Sequence, residues 1–445
     1  MGVTGWRKVV STMCCSDVPG ICFCCCRNLK LHCCELHGLW KAVVLLVCIG
    51  LAIQIFGING GKRLRLKSST LDADGERGRA CSPQTHIVFL KTHKTASSTI
   101  LNLLYRFGEA RNLSFALPRG YQLGYPKPFR AVDINHYSRG RNVDYHIICN
   151  HMRFHHGEVE KVMPRGTFYF SILRNPVTLA ESAFTYYKGS SSAFSKVQRL
   201  EQFYRDPWRY YSISETGSHY ARNLMWFDFG HDHNANVTEH YVAAVLKEIE
   251  ETFHLILLAE YFDQSMVLLR QALCWDLDDL VTFKLNLRSN KTVSRLSAET
   301  VGQIRAWNAL DWSLYLHFNR TFWQRVDRYG QERMRRDVQI LREKRQEMME
   351  LCLQGGQAVE AAQIQDKNIK PFQYGRAKIM GYNLKPSLNN HTRERCVRMV
   401  MPELQYKDLL ATRPSYSHVQ RLVVNLGARS NQTESSRNGV TQGSH

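Results

Sequence analysis

The stretch His86–Leu101, reading HIVFLKTHKTASSTIL, constrains this chain more than any other. Ile87, Val88, Phe89 and Leu90 form a β-prone apolar run, which reads as a buried strand. A short polar turn with Lys91 and Lys94 follows, then the hydroxyl run Thr95, Ser97, Ser98 and Thr99. That run opens into the apolar helical pattern Ile100, Leu103, Leu104. Strand, basic turn and helix N-terminus together make a phosphate or sulfate holder, because first-turn amides and the helix dipole both favour an anion. A triphosphate loop needs G-x-x-x-x-G-K-[ST], with glycines that let the backbone wrap the phosphates. No glycine lies between His86 and Leu104, so the tighter loop suits a single phosphate joined to one more anionic group.

A second grip stands at Ile172-Leu173-Arg174-Asn175-Pro176, with Ser182 eight positions after the arginine. An arginine leaving a buried strand can hold a phosphate bidentately, with a helical serine beside it. Two grips at two strand ends match a nucleotide phosphorylated at both its 5′ and 3′ positions. Tyr145–Cys149, Thr167–Leu173 and His254–Leu258 read as further strands. They are separated by helical stretches at about Ser97–Phe107, after Pro176, at Glu239–Phe253 and at Ser265–Leu273. The fold class expected is α/β, a mostly parallel sheet flanked by helices. Trp307–Trp323 should pack on the core, and Arg320–Leu351 reads as one long helix with the apolar stripe Phe322, Val326, Met334, Val338, Leu341, Met348.

Ala42–Ile58 contains a single polar residue, Gln54, and no charge, which predicts a short uncleaved signal anchor. Charges on both sides of it leave the orientation open. Six N-x-Ser/Thr sequons, at Asn112, Asn236, Asn290, Asn319, Asn390 and Asn431, all follow it and favour a lumenal C-terminal part. The expected order is a cytosolic Cys-rich tail (1–41), a single-pass anchor (42–58), a stem (59–83), a lumenal catalytic domain (84–426) and a disordered tail (427–445). Nine of the fourteen cysteines lie at or before residue 48, where acylation is favoured over zinc. The later five, Cys81, Cys149, Cys274, Cys352 and Cys396, can form disulfides in a lumen; Cys352 with Cys396 is the pair expected, with one cysteine left free. The net charge of +20 points to anionic partners, whether nucleic acid, an acidic membrane or phosphorylated and sulfated small molecules, and charge alone does not choose; the two anion grips favour a nucleotide, with no nucleic acid expected.

Several strings, FLKTHKTASST, IICNHMRFH, FYFSILRNP, NLMWFDFG, DDLVTFKLN and MPELQY, resemble the galactose 3-O-sulfotransferases, from about His86 to Tyr406. That family includes the galactosylceramide enzyme and glycoprotein-acting relatives. Lys94–Ser98 resembles the 5′-phosphosulfate loop of Golgi carbohydrate sulfotransferases, and Arg174…Ser182 their 3′-phosphate motif. His93 departs from the proline that many wider sulfotransferases carry before the loop lysine. The resemblance implies a P-loop-like sulfotransferase fold and the donor 3′-phosphoadenosine 5′-phosphosulfate, with no metal. It also implies in-line transfer to the 3-hydroxyl of galactose on a glycolipid or glycoprotein, at the Golgi membrane.

In this scheme Lys94, helped by Lys91, stabilises the developing charge, while Thr95, Ala96, Ser97, Ser98, Thr99, Arg174 and Ser182 hold the nucleotide. A neutral histidine suits the base: His151, at a buried strand end, comes first and His93 second, with His155 and His156 as packing or surface residues. Arg153 could orient a ligand or serve a structural ion pair, and His231 with His233 reads as a polar loop. A lumenal kinase or nucleotidase is the competing enzyme and would need magnesium ligands, for which Asp311 and Glu260 are the nearest acids. A non-catalytic glycan-binding glycoprotein is the alternative outside enzymes. The loops Asn112–Ala131 and Gly189–Tyr211 are expected to shape the acceptor pocket; the preferred acceptor and the oligomeric state stay open.

Overall fold

The computed structural model describes residues 81–413, apart from 138–143, 290–292 and 294. The anchor, the N-terminal cysteine cluster, most of the stem, the C-terminal tail, Asn290 and Asn431 lie outside the described residues. Four strands form a parallel sheet in the order β2-β1-β3-β4: β1 Ile87–Leu90, β2 Ile147–Ile148, β3 Phe168–Leu173 and β4 Leu255–Leu258. Ile87 sits opposite both Ile147 and Phe168, and Leu173 opposite Leu258. All four β1 residues are fully buried, so the run has no solvent face and needs no alternation.

The principal helices are α1 Ser97–Ala110, α2 Pro176–Tyr187, α3 Leu224–Asp228, α4 Glu239–Thr252 and α5 Phe262–Leu273. They continue with α6 Ala298–Trp307, α7 Ala309–Tyr329, α8 Gln331–Cys352, α9 Asn390–Val400 and α10 Glu403–Ala411. Pro176 occupies the first turn of α2, whose cap is the Asn175 side chain accepting from the Val177 amide. The expected helix Arg320–Leu351 is two helices, α7 and α8. Gly330 breaks it with φ 94° and ψ 122°, a conformation no other residue adopts cheaply. The predicted stripe nonetheless stays on one buried face, from Phe322 through Val338 to Met348.

Two disulfides tie distant segments together. Cys352–Cys396, the pair expected, fastens the end of α8 to α9, and Cys81–Cys274 fastens the start of the domain to the end of α5. Cys149 is free and buried. Asn112, Asn236 and Asn390 are exposed; Asn319 is half-buried inside α7, with its amide oxygen unpartnered. The segment 189–211 is not an open loop. It holds the short helices Ser192–Ser195 and Leu200–Arg205, whose Phe194 and Phe203 build a satellite core with Trp307.

Candidate active site

At the carboxyl end of β1 the chain turns through Lys91–Ala96 into α1. Lys94 (φ 61°) and Ala96 (φ 63°) both take left-handed backbone, a strained conformation for residues with a Cβ. A hydroxyl network holds that conformation. Ser97 Oγ donates to the Thr92 carbonyl at 2.7 Å, Thr95 Oγ1 reaches the same carbonyl at 3.2 Å, and Thr92 Oγ1 donates to Ile172 O in β3. Thr99 Oγ1 accepts the Leu285 amide at 3.1 Å, and Ser98 Oγ lies between Asn286 and Glu403. These hydroxyls therefore shape the loop from within. Ala96, the N-cap, makes no side-chain cap bond, and the Thr99 amide donates to its carbonyl at 3.1 Å, which leaves the Ser97 and Ser98 amides to an anion.

Arg174 leaves the end of β3 and donates through Nη1 to the Lys94 carbonyl at 2.9 Å and through Nε to Thr178 at 3.0 Å. This bond joins the two grips that lie eighty residues apart in sequence. Lys94 Nζ sits 3.5 Å above the Tyr186 ring. Burial, and then the nearby Arg174, Lys91 and Arg288, push its pKa down to about 7. A cation so poorly compensated is a ready partner for an anionic ligand.

Lys91 is buried and fully engaged: its Nζ lies 2.6 Å from His151 Nε2 and 3.1 Å from Glu403 Oε2. His151 Nδ1 is 2.8 Å from the Lys91 carbonyl. A carbonyl only accepts and an ammonium only donates, so His151 is neutral with its proton on Nδ1. Burial, His93 and Lys91 all hold its pKa well below the usual imidazole range.

His93 stacks on His151 with ring centroids 3.9 Å apart and planes within 7°. Its Nδ1 lies 2.9 Å from Oδ1 of Asp228, a fully buried residue at the end of α3. The His93 amide donates to Asp228 Oδ2 at 2.7 Å, and Tyr125 OH donates to Oδ1 at 3.0 Å. Nδ1 thus carries the proton and Nε2 is the accepting nitrogen; it meets the Gln122 amide at 3.4 Å.

A cavity of about 640 Å³ opens at these strand ends. Lys91, Lys94, Thr95–Thr99, His151, Arg174 and Ser182 all border it, so the structure gathers every predicted nucleotide contact and the first-choice base on one surface. His93 lies just behind, 1% exposed. Sequence reasoning passed over Arg288, which pairs with the buried Glu181 through Nη2 and has a buried Nη1 without a hydrogen-bond partner. It also passed over Asp228, Glu403 and the cavity-lining Tyr121, Tyr186 and Tyr187. Asp228 and Glu403 stand inside the noted strings NLMWFDFG and MPELQY, but nothing local separates a site acid from a surface one.

Other candidates have structural work. His155 caps the short helix His156–Val159, and Arg153 donates to the carbonyls of Gly230 and His231. Asp311 accepts the Met225 and Trp226 amides at the start of α3, and burial pushes its carboxyl up to about 7. Glu260 accepts the Asn175 amide. Asp311 does not border the cavity described above, whereas Glu260 does, with one carboxylate oxygen on that amide. Among the described residues no cluster of three His, Cys, Asp or Glu is placed to hold a metal, His231 and His233 included.

The galactose-3-O-sulfotransferase family profile matches residues 33–413. The chain is 52% identical over 330 residues to galactose-3-O-sulfotransferase 2 of Mus musculus, covering 73% of this chain and 84% of the relative. It is 44% identical over 343 residues to the galactosylceramide sulfotransferase of Homo sapiens, covering 76% and 80%. With galactose-3-O-sulfotransferase 4 of Homo sapiens it shares 38% identity over 450 residues, covering 84% and 93%. With the family's span embracing both anion grips and the whole sheet, the chain belongs to the galactose-3-O-sulfotransferase family.

Proposed function

We propose that this protein transfers sulfate from 3′-phosphoadenosine 5′-phosphosulfate to the 3-hydroxyl of a terminal galactose. The acceptor is a glycolipid such as galactosylceramide or a glycoprotein glycan, and the compartment is the Golgi lumen, with Ala42–Ile58 as a single-pass anchor. One observation carries the reading: Lys94, Arg174, Ser182 and His151 meet on one cavity at the ends of parallel strands in a member of this family. The galactose and galactosylceramide in the relatives' names support the acceptor class. Two disulfides and the exposed Asn112, Asn236 and Asn390 support an oxidising, glycosylating compartment.

Arg174, Ser182 and the first amides of α1 hold the two phosphate ends of the donor, and Lys94 neutralises the charge left on the departing 5′-phosphate. For the base, hydrogen bonding favours His93, although it is His151 that borders the cavity and His93 lies behind it. An imidazolium at His93 is stabilised by Asp228, and its Nε2 gives up only a long contact to Gln122. An imidazolium at His151 would instead face the Lys91 ammonium and cost its hydrogen bond. His151 is the positioning residue that aims Lys91.

The test is transfer of labelled sulfate to a panel of galactosylceramide, lactosylceramide and N- and O-glycans, with label expected at galactose O3. A folded protein that binds 3′,5′-ADP and labels none of them refutes the reading. His93→Ala and Asp228→Asn should each lower kcat by about 10²–10⁴ while nucleotide affinity holds. Full turnover in His93→Ala, with the loss confined to His151→Ala, would reverse the assignment.

A further inference from the structure

Two chemically different sets of side chains line the cavity. Arg174, Ser182 and Arg288 belong to one, and the uncharged rings of Tyr121, Tyr186 and Tyr187 to the other. Aromatic rings also flank both histidines. Tyr121 stands edge-on to His151 at 6.0 Å, and Tyr125, Tyr220 and Tyr187 lie 4.6, 5.9 and 6.0 Å from His93. The rings also hold one another: Tyr187 stacks on Tyr220 at 3.8 Å and 9°, and Tyr186 packs on Tyr374 at 4.8 Å. Tyr121 is 40% exposed at the rim.

We propose that Tyr121, at the exposed rim of an aromatic cluster with Tyr186 and Tyr187, forms the acceptor subsite: its ring takes the apolar face of a terminal galactopyranose, and Tyr187 supports it in turning the 3-hydroxyl toward the histidine pair. This rests on the function proposed above and adds to it the surface that reads the sugar. Three arguments converge on it. The rim ring of Tyr121 carries no charge of its own to bind a second phosphate, but offers a flat apolar face and a hydroxyl suited to a neutral polyol. The axial 4-hydroxyl of galactose leaves the hydrogens on C3, C4 and C5 together on one face, the shape that covers an aromatic ring. Finally, the cluster adjoins the only imidazole nitrogen in the pair that lacks a strong partner, His93 Nε2, through Gln122 on the same loop as Tyr121.

Of the two segments expected to shape the acceptor pocket, 112–131 supplies Tyr121, and no residue of 189–211 borders this cavity. The other two rings come from the last turn of α2. Tyr186 joins the two sets, since its face carries the Lys94 ammonium. The test therefore uses Tyr121 and Tyr187, which do not touch that cation.

The experiment measures sulfation of methyl β-D-galactopyranoside and methyl β-D-glucopyranoside by the full-length, detergent-solubilised protein, and in parallel the Kd for 3′,5′-ADP. Tyr121→Ala should raise the KM for the galactoside about tenfold and narrow its advantage over the glucoside, with the nucleotide Kd within twofold of wild type. Tyr121→Phe should recover most of that loss, as stacking requires. A thermal denaturation midpoint close to wild type reports that each variant is folded. An unchanged galactoside KM in both Tyr121→Ala and Tyr187→Ala overturns the subsite. A nucleotide Kd that weakens in step with the KM assigns the rings to the donor and overturns it equally. A wild-type chain that binds 3′,5′-ADP but sulfates no galactoside refutes the proposed function itself, and the subsite with it.

Discussion

Lys94 makes the cavity a proton-linked site. Its pKa is down to about 7 from the ordinary 10.5, chiefly through burial and then through Arg174, Lys91 and Arg288. The unfolded chain therefore binds more protons than the folded one between these values. Stability should rise with pH across that window, the cost of burying the ammonium being complete below it. A phosphate at Lys94 restores the charged form, so 3′,5′-ADP, whose phosphates are fully ionised at pH 8, should take up close to one proton on binding at that pH. Calorimetry in buffers of different ionisation enthalpy reads this directly; zero uptake at pH 8 would mean the ligand does not meet Lys94. Arg288 gives a second prediction at this scale. It borders the cavity with Arg174 and is held by Glu181, so a 3′-phosphate bound at Arg174 would draw on both guanidinium groups. Arg288→Ala should weaken 3′,5′-ADP binding by about 10–100-fold and 5′-AMP binding far less. An equal loss for both nucleotides would place the arginine at the 5′ end.

Among the elements, Gly330 is the sharpest case of one residue setting architecture. Its φ of 94° turns one amphipathic stretch into α7 and α8, so that the second half of the stripe reaches α5 rather than running on into solvent. A Cβ at Gly330 would find open space, with only Arg333 Cβ at 4.0 Å. The cost of Gly330→Ala is thus backbone strain alone, about 1–3 kcal/mol, and should appear as a lower denaturation midpoint. Nucleotide affinity should not change, because Gly330 contributes nothing to the cavity wall. α3 is the converse case. Five residues long, it holds Asp228 under His93 because Asp311, from α7, accepts its first amides.

At the scale of the molecule, the site is closed from the far end of the described chain. α10 begins with Glu403, whose carboxylate reaches Lys91 and Ser98 across more than three hundred residues. α9 and α10 are clamped to α1 by Arg398 and Tyr406 on Glu109 and by Asn102 on the Arg398 carbonyl. The Cys352–Cys396 bridge anchors the same unit to α8. Cys352→Ser with Cys396→Ser should therefore cost about 2–5 kcal/mol in stability. It should also weaken 3′,5′-ADP binding, which loss of a surface staple would leave untouched.

Much of this was legible without coordinates because it is local. The four-residue β1 run, the hydroxyl turn, Pro176 at a helix start and the α7–α8 stripe depend on neighbours within a few positions, where steric preference and periodicity act. Two anion grips and a parallel sheet follow from those patterns alone. Tertiary structure decided what depends on which distant ends converge. It placed Asp228 on His93 across 135 residues, Arg288 on Glu181, and Cys81 on Cys274, none of which any local pattern marks. It also spent both nitrogens of His151 on Lys91, and left His93 Nε2 only the 3.4 Å contact to Gln122. A sequence can name two histidines for one proton. Only the packing around each fixes which nitrogens are already engaged and which ring borders the cavity.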